Sequence, residues 1–518
     1  MARITAPEPD LTPDRLRREA KTLRRASRAG EPGALYRLRT VLPKADPQRL
    51  RHADALHVVA REHGFASWPK LKLSAELHGL DRAAAAQRLG LALQLGQAAV
   101  AEALLVRMPD LPQGFFGLQV ALYDIAAVRA ALAREPKLAT DVAGTKRPIL
   151  HLAFSRWIKA RPDLETEMLA VAEALVDAGA DVNDGFAPNP DDPHRLSALY
   201  GAIGHADNMA FGRWLLDRGA SPDDGESLYH ATELGHHEGL RMLLEAGATP
   251  HGTNALLRAM DFDDVAAVEM LLAHGARADD FNAGEVGGEQ PWVVPALHQA
   301  ARRRCSPEMV DLLLKHGADP GRRYRGASVY GFARVHGHAA LARRLEARGA
   351  DVPLMPQETL LAAAAEGLDG AGARLDPSTL PEAYRDILHE LVPMPDRLDH
   401  VRRLLALGLP FDGPDAQGLT PVQMAGWAGL PEALRLFLDL GPDVAHVNGY
   451  GGGLVDTILH GAANNPARAE EPCDYEACLD LALAAGALLP RGSMRTTADD
   501  GLRALMEDWA EAHPERVA

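Results

Sequence analysis

The stretch Leu243-Leu244-Glu245-Ala246-Gly247-Ala248 decides the fold, because close copies of it recur along the chain. The same pattern stands at residues 215–220, 271–276 and 313–318, and looser copies end at Gly179, Gly349, Gly408, Gly441 and Gly486. The copies return roughly every 28 to 45 residues, with one longer gap. A pattern that returns at this period is typical of a repeat array, in which each unit packs on its neighbours. The sequence therefore predicts a solenoid, a fold that offers a long surface without requiring an active site.

Each copy contains two apolar helical stretches, as the segment from Ser227 to Gly247 illustrates. Leu240, Leu243 and Leu244 recur at spacings of three and four, which places them on one face of a helix. The pair Gly235-His236 interrupts the pattern, as a tight turn between two helices requires. Gly247 follows the last leucine, where a helix end favours a residue that tolerates positive φ. Two such short helices cannot bury their apolar faces alone, so stacking on neighbouring copies must complete the core.

The pattern resembles the ankyrin repeat, whose consensus runs Thr-Pro-Leu-His-x-Ala-Ala, then Gly-His, then Leu-Leu-x-x-Gly-Ala-Asp. The best matches to its first half are Leu150-His151-Leu152-Ala153, Ala296-Leu297-His298-Gln299-Ala300-Ala301 and Leu419-Thr420-Pro421-Val422. Nine in-phase copies cover roughly residues 147–489, and residues 81–146 are expected to add two degenerate helix pairs. The resemblance implies an all-α ankyrin-repeat solenoid of about 9–11 degenerate repeats with short β-hairpin or irregular fingers. The spacing departs from the regular 33-residue period of the family, since some copies are shorter and others carry insertions.

Three segments are predicted. Residues 1–79 form a basic helical module, with helices near Pro13–Ala29, from Glu31, and near Arg51–His63. Residues 53–71 resemble a small N-terminal module that many bacterial ankyrin proteins carry. Residues 80–490 form the array, with insertions near 157–168, 281–295 and 368–396, and residues 491–518 form a capping helix and tail. The last insertion is expected to hold a helix near Pro381–Leu391 between the two helices of one repeat. It could cover either the concave or the convex side of the array.

Composition limits the class of protein and its location. No run of 18 apolar residues predicts a membrane span, and the N-terminal stretch lacks an apolar signal segment. Three scattered cysteines predict a cytoplasmic protein without a disulfide framework. A monomer is expected. The net charge is −16, although residues 1–51 carry thirteen Lys or Arg against six Asp or Glu. The acidic remainder argues against nucleic-acid binding along the array. For the Arg-rich first helix, the charge pattern favours a solvated face over nucleic-acid contact.

No motif indicates catalysis, a cofactor or a metal site, so the sequence predicts no catalytic residue, no cofactor and no metal. The chain lacks a His-Glu-x-x-His motif, a Cys-x-x-Cys pair and an acidic calcium loop. The ankyrin resemblance implies that His151, His298 and His460 occupy the histidine position of Thr-Pro-Leu-His. In that family, this imidazole makes structural hydrogen bonds between loops.

Ankyrin arrays usually bind partners on their concave side, through the fingers and the outward positions of each first helix. Aligning the copies on the turn between the helices selects Ser155, Arg156, His205, Glu233, Asp261, Phe262, Arg302, Arg303, Val335, His336, Trp427 and Asn464. Two further candidates are a cationic, aromatic patch that adds Arg322, Arg323, Tyr324 and Arg325, and Trp292 on the insertion finger. The leading hypothesis is a non-catalytic scaffold that binds an unidentified protein. The alternatives are an enzyme or small-molecule binder with a site in the groove, and a nucleic-acid-binding head with the array as sensor.

Overall fold

The computed structural model describes residues 12–188, 194–284, 293–368, 372–465, 472–497 and 499–518. The chain divides into two compact units. Residues 1–72 and 321–518 make up one, which we call the terminal unit, and residues 73–320 make up the other, which we call the central unit. Trp292 and part of its insertion lie outside the described residues.

The N-terminal residues form α1 Pro13–Arg28, α2 Pro32–Val41, α3 His52–Glu62 and α4 Trp68–His78. Thr12 begins α1, because its side-chain oxygen accepts a hydrogen bond from the Arg15 N–H, and a proline occupies the first turn. Leu16, Ala20 and Leu23 lie on one face of α1 and are buried, and α1 packs against α3. The helix therefore begins and ends close to the residues that its sequence indicates.

The described part of the central unit contains seven helix pairs. In chain order they are α5 Arg82–Gln94 with α6 Ala98–Arg107, α7 Phe116–Ala121 with α8 Ile125–Arg134, α9 Pro148–Ala153 with α11 Glu165–Asp177, α12 Ala198–Tyr200 with α13 Met209–Asp217, α14 Ser227–His230 with α15 Glu238–Glu245, α16 Ala255–Asp261 with α17 Val265–Ala273, and α18 Ala296–Arg303 with α19 Pro307–Lys315. The short helix α10 Trp157–Ala160 lies between α9 and α11. A π-helical turn Gly201–His205 extends α12, and a 3-10 turn Ala231–Glu233 extends α14.

The repeated leucine pattern forms the core and the helix end that the sequence predicts. Leu240 and Leu243 are fully buried on α15. Gly247 adopts φ +91°, and the Ala248 N–H donates a 2.9 Å hydrogen bond to the Leu243 carbonyl. This bond closes the helix end and leads the chain into the next finger. The expectation of a mainly helical repeat fold is confirmed.

The strands assigned in the described fingers are only two residues long. In the central unit, β1 Gly185–Phe186 pairs antiparallel with β2 Leu196–Ser197. The two 28-residue copies have irregular fingers instead, since no strand is assigned within their described residues 220–226 and 248–254.

The terminal unit continues the same arrangement after a finger made of β3 Arg323–Tyr324 and β4 Ala327–Ser328. Its pairs are α20 Val329–Val335 with α21 Ala339–Glu346, α22 Pro356–Ala365 with α24 Leu398–Ala406, α25 Pro421–Ala428 with α26 Pro431–Leu438, and α27 Leu454–Asn464 with α28 Tyr475–Ala484. The short helix α29 Ser493–Thr496 and the longer α30 Asp500–Ala512 follow, and α30 packs against α28 and α3.

The insertion between α22 and α24 differs from its prediction. A single helix over Pro381–Leu391 is wrong, because the segment forms a 3-10 turn Glu382–Tyr384 and then α23 Ile387–Leu391. The Ala383 N–H donates a 3.1 Å hydrogen bond to the Arg325 carbonyl of the β3–β4 finger. Tyr384 has no exposed surface. These contacts with the array replace the continuous helix that local propensity favours.

Candidate protein-binding site

The predicted binding residues of the central unit lie at the C-terminal ends of successive first helices. Glu233 ends the 3-10 turn after α14, Asp261 and Arg303 are the last residues of α16 and α18, and Phe262 directly follows α16. We call the surface formed by these helix ends the first-helix surface of the central unit. It brings together residues that are up to 70 positions apart in the sequence.

An alternating series of charges connects three repeats along this surface. Glu233 accepts a 2.8 Å hydrogen bond from Arg258 Nε, and Arg258 Nη1 donates a 2.8 Å bond to Asp261 Oδ2. The other oxygen of Asp261 accepts a 2.8 Å bond from Arg303 Nε. Gln299 also donates to Asp261, and Arg302 Nη2 donates a 2.9 Å bond to Gln299 Oε1. The side chain of Asp261 is nearly buried, so its arginine partners supply the hydrogen bonds that water would otherwise make.

His230 extends the series to a buried carboxylate. Its Nδ1 lies 2.9 Å from Glu233 Oε2, and its Nε2 lies 2.9 Å from Glu226 Oε2. Burial alone would lower the pKa of His230, but the two carboxylates outweigh it and raise this pKa to about 9. Burial alone would raise the pKa of Glu233, but the hydrogen bonds from His230 and Arg258 outweigh it, so this pKa lies below its ordinary value. His230 is therefore cationic at neutral pH.

An exposed aromatic side chain rests on this charged framework. Phe262 is 52% exposed, and the guanidinium carbon of Arg258 lies 4.9 Å from the centre of its ring. The same guanidinium carbon lies 5.7 Å from the ring centre of Tyr229. Arg258 thus contacts two aromatic rings while two carboxylates hold its nitrogens. This arrangement fixes the arginine and provides cation–π contacts to both rings.

Arg156 and His205 form a second group in the central unit. Arg156 Nε and Nη2 donate 2.8 Å and 2.6 Å hydrogen bonds to the His205 carbonyl. His205 Nε2 lies 2.9 Å from the Gln94 carbonyl, and both side chains are half-buried. Beside them, Asp207 pairs with Lys159 at 2.7 Å and with His236 at 2.8 Å. Ser155, which the repeat alignment placed outward, is instead buried, because its hydroxyl donates to the Ala121 carbonyl.

In the terminal unit, the predicted residues do not form one cluster. Tyr324 is half-buried in β3, with the guanidinium carbon of Arg325 5.3 Å from its ring centre. Trp427 is half-buried rather than exposed, and its carbonyl accepts a 3.0 Å bond from the Tyr475 hydroxyl. Asn464 is exposed, and its amide donates to the His460 carbonyl. Of the predicted cationic patch, Arg302 and Arg303 belong to the central unit, whereas residues 322–325 belong to the terminal unit.

The outward placement predicted for Val335 and His336 is wrong. Both residues are buried, with 0% and 2% of their surfaces exposed. His336 Nε2 lies 2.9 Å from Glu390 Oε2, so a residue of the insertion contacts this part of α20. Alignment of the repeats could not reveal this burial, because the covering residue lies 54 positions further along the chain.

The basic first helix has the solvated face that was expected, since Arg15, Arg18, Arg25 and Arg28 are exposed, but three of its other basic side chains are ion-paired within the fold. Arg17 Nε donates a 2.9 Å hydrogen bond to Asp500 on α30, and Lys21 Nζ lies 2.8 Å from Glu511 and 3.1 Å from Asp508. Arg24 also pairs with Asp508. Arg17, Lys21 and Arg24 of α1 are thus paired with acidic side chains of α30, and both helices belong to the terminal unit.

Two of the three predicted structural histidines lie inside the fold. His151 Nε2 lies 2.7 Å from the Ala143 carbonyl of the preceding finger, and His298 is fully buried. The placement of His460 is wrong, because it is exposed near the end of α27. Asp456 occupies the corresponding position in the first turn of α27, where it accepts a 3.1 Å hydrogen bond from the Gly453 N–H.

Other kinds of site find little support in the described part of the chain. No cluster of three or more His, Cys, Asp or Glu side chains in these residues could hold a metal ion. Within the same residues, no helix combines the length and apolar character that crossing a bilayer requires. Burial raises the pKa of the Cys305 and Cys478 thiols to about 12, so both remain protonated and weakly nucleophilic at neutral pH.

One repeat resembles a known family. This repeat contains α18 with the Arg302–Arg303 pair, and it ends at Tyr324. Residues 295–324 match the ankyrin repeat. Ankyrin repeats generally mediate protein–protein interaction. No curated protein matches the chain. Similar solved structures include the human ASB11 ankyrin repeat domain, which is 22% identical to this chain and has a TM-score of 0.32. The match covers 46% of this chain and 99% of that chain. Another is the ankyrin repeat domain of Bcl-3, a member of the IkappaB family, with 20% identity, 45% and 98% covered, and a TM-score of 0.33.

Sequence reasoning missed three members of the first-helix surface, namely Tyr229, His230 and Arg258. A signal for two of them exists, because His230 precedes Glu233 by three residues and Arg258 precedes Asp261 by three. Oppositely charged side chains at this spacing on a helix are neighbours. A search for such pairs at the ends of the first helices would have found both residues.

Proposed function

We propose that this chain is a non-catalytic scaffold that binds a protein partner on the first-helix surface of the central unit. Phe262 carries the proposal. It is a large apolar side chain that is half exposed, yet it rests on Arg258, whose position Glu233 and Asp261 fix. Aromatic side chains in a rigid setting are typical anchors of protein interfaces, because little conformational entropy is lost when they are covered.

The surrounding charges are expected to determine which partner binds. Arg303 is exposed, whereas Asp261 beside it is nearly buried and already engaged by arginines. A partner that covers Phe262 would meet an arginine-rich rim, so an acidic contact surface on the partner is favoured. Arg156, His205, Arg302, Tyr324, Trp427 and Asn464 remain proposed contacts of lower rank, since most of them are half-buried or bonded within the fold. We also propose a cytoplasmic monomer that carries no cofactor.

The proposal is tested by a comparison between two exposed apolar side chains of the central unit. Phe262→Ala removes the proposed anchor. Val106→Ala is the matched control, because Val106 is 74% exposed on α6, a second helix of its pair. Truncating an interface anchor typically costs about 2 kcal/mol or more, which weakens binding roughly thirtyfold. We expect Phe262→Ala to lose the partners that the wild type captures from its native cells, and Val106→Ala to keep them.

The thermal unfolding midpoint of both variants serves as the stability control. It should stay close to that of the wild type, because exposed side chains contribute little to folding. If Phe262→Ala retains every partner at unchanged affinity, the first-helix surface of the central unit is not the binding site.

A further inference from the structure

Residues 380–392, which we call the insert segment, cover part of the α20 and α22 helices in the terminal unit. The segment contains the 3-10 turn Glu382–Tyr384 and helix α23. Its first residues lie against the β3–β4 finger, where the Ala383 N–H donates a hydrogen bond to the Arg325 carbonyl. It also contacts His336, one of the positions where the repeat alignment places a ligand-binding surface.

Tyr384 provides the first of two polar contacts with this surface. Its ring lies nearly parallel to that of Phe332, with the ring centres 5.8 Å apart. Its hydroxyl donates a 2.7 Å hydrogen bond to Glu358 Oε1 on α22. Burial, reinforced by the Glu358 charge, raises the pKa of Tyr384 far above its usual range, so the phenol stays protonated and remains a donor.

Glu390 provides the second contact, six residues after Tyr384. Its carboxylate lies 2.9 Å from His336 Nε2 on α20. His336 Nδ1 lies 3.0 Å from the Phe332 carbonyl, and the two rings stack with centres 3.9 Å apart. The Phe332 carbonyl and the Glu390 carboxylate thus lie at the two ring nitrogens of His336.

The receiving side chains are held in place by their own helices. Glu358 Oε2 accepts a 3.0 Å hydrogen bond from the Met355 N–H at the start of α22, which leaves Oε1 directed at Tyr384. Gly331 makes room for this carboxylate, because a Cβ at that position would lie 2.3 Å from Glu358 Oε1. His336 is likewise fixed by Phe332 within α20. The surface is thus preorganised for a phenol and a carboxylate by residues outside the insert segment.

We infer that Phe332, His336 and Glu358 form a peptide-binding site, which the insert segment of the same chain fills. The ligand class is a short helical segment that carries a tyrosine and, six residues later, a glutamate or aspartate. This inference rests on the proposed function, because it treats the first helices of the array as ligand-binding elements. The insert segment acts as an internal competitor, so a partner with the same pair of side chains would bind only when this segment leaves.

The inference is tested with a fluorescently labelled peptide of residues 378–394 and the full-length protein. In the variant Tyr384→Ala with Glu390→Ala, the internal ligand is weakened while the site stays intact. Fluorescence anisotropy should show that the peptide binds this variant about tenfold or more tightly than it binds the wild type. Adding His336→Ala should remove that gain. A control peptide that carries Tyr384→Phe and Glu390→Gln should bind the double variant about tenfold more weakly than the peptide of natural sequence does. If the folded double variant does not bind the peptide better than the wild type does, or binds both peptides equally, the inference is wrong.

Hydrogen exchange of the wild-type protein provides an independent test. It shows whether the insert segment can leave its site even if the double variant fails to fold. A displaceable segment should exchange its amides in residues 387–391 faster than α20 and α22 do. If these amides exchange only together with α20 and α22, the segment is a fixed part of the core and the inference fails. The Phe262 experiment concerns a different unit, so its failure and the failure of this inference can be told apart.

Discussion

Arg303 Nε donates a 2.8 Å hydrogen bond to Asp261 Oδ1 across two consecutive repeats, although 42 residues separate them in the sequence. Arg258 and Gln299 donate to the same carboxylate, which is nearly buried. Asp261 therefore joins side chains of α16 and α18, and one of these side chains, Arg258, lies against the ring of the exposed Phe262. The proposed anchor and its supporting charges form one structural group, and the stability and binding of this region can be tested together.

Replacing Asp261 should destabilise the central unit. Asp261→Ala leaves Arg258, Arg303 and Gln299 without their common acceptor, which costs about 1–3 kcal/mol when the donors are partly buried. Urea unfolding measures the loss. The matched control is Glu245→Ala, because Glu245 is an exposed acidic residue at the end of α15, and it should change stability by no more than about 0.5 kcal/mol. Equal losses for the two variants would show that the charge series contributes nothing to folding.

Stability should depend on pH through His230. Its pKa rises from 6.5 to about 9 on folding, because Glu226 and Glu233 stabilise the cation. A raised pKa contributes stability that is complete below about pH 6.5 and is lost as the pH rises through about 9. This contribution is at most about 3 kcal/mol. Unfolding free energies measured between pH 6 and pH 10 should therefore fall in the wild type and fall less in His230→Gln. Parallel profiles for the two proteins would contradict the assignment.

The leucine pattern makes a prediction about the core. Leu243 is fully buried on α15, so Leu243→Ala should cost about 2–5 kcal/mol through lost burial and a cavity. Leu91→Ala is the matched control, because Leu91 is 49% exposed on α5, and its cost should stay within about 0.5 kcal/mol. Chemical denaturation of both variants measures the difference. A small cost for Leu243→Ala would mean that the assigned packing of the repeat is wrong.

The two ends of the chain should be coupled by charge within the terminal unit. Asp508→Arg places a cation beside Lys21 and Arg24, so it should lower the thermal unfolding midpoint and speed hydrogen exchange in α1. Adding Arg24→Asp restores an opposite-charge pair and should recover part of the loss. Because the pairs are partly exposed, high salt should reduce both effects. If the double variant lowers the unfolding midpoint by the sum of the losses in the two single variants, the residues do not pair directly.

The sequence predicted the repeat core because that core depends on local periodicity. Leu243 is buried and Gly247 adopts positive φ in the register that the Leu-Leu-x-x-Gly-Ala pattern indicates. The same reasoning placed Glu233 and Phe262 on exposed helix ends, where they lie in the structure. The spacing of apolar residues along one helix determines which face of it is buried, and the same spacing recurs in the neighbouring repeats.

Contacts between distant segments lay beyond this reasoning. His336 has the spacing of an exposed position, yet Glu390 of the insert segment contacts it, and the path of an insertion depends on tertiary contacts. The bond between Asp261 and Arg303 likewise depends on how two repeats stack and which side-chain rotamers meet. His460 was assigned to the histidine position of the Thr-Pro-Leu-His motif on its residue type alone. That position lies in the first turn of the helix, which in α27 holds Asp456.

Site-specific photocrosslinking shows whether a protein partner covers the first-helix surface of the central unit. A photoreactive amino acid is placed at position 262 in one full-length protein and at position 106 in another, since both side chains are exposed in the central unit. We predict that, in the native cell, a partner crosslinks from position 262 and not from position 106. Crosslinking of the same proteins from both positions, or from position 106 alone, would contradict the account.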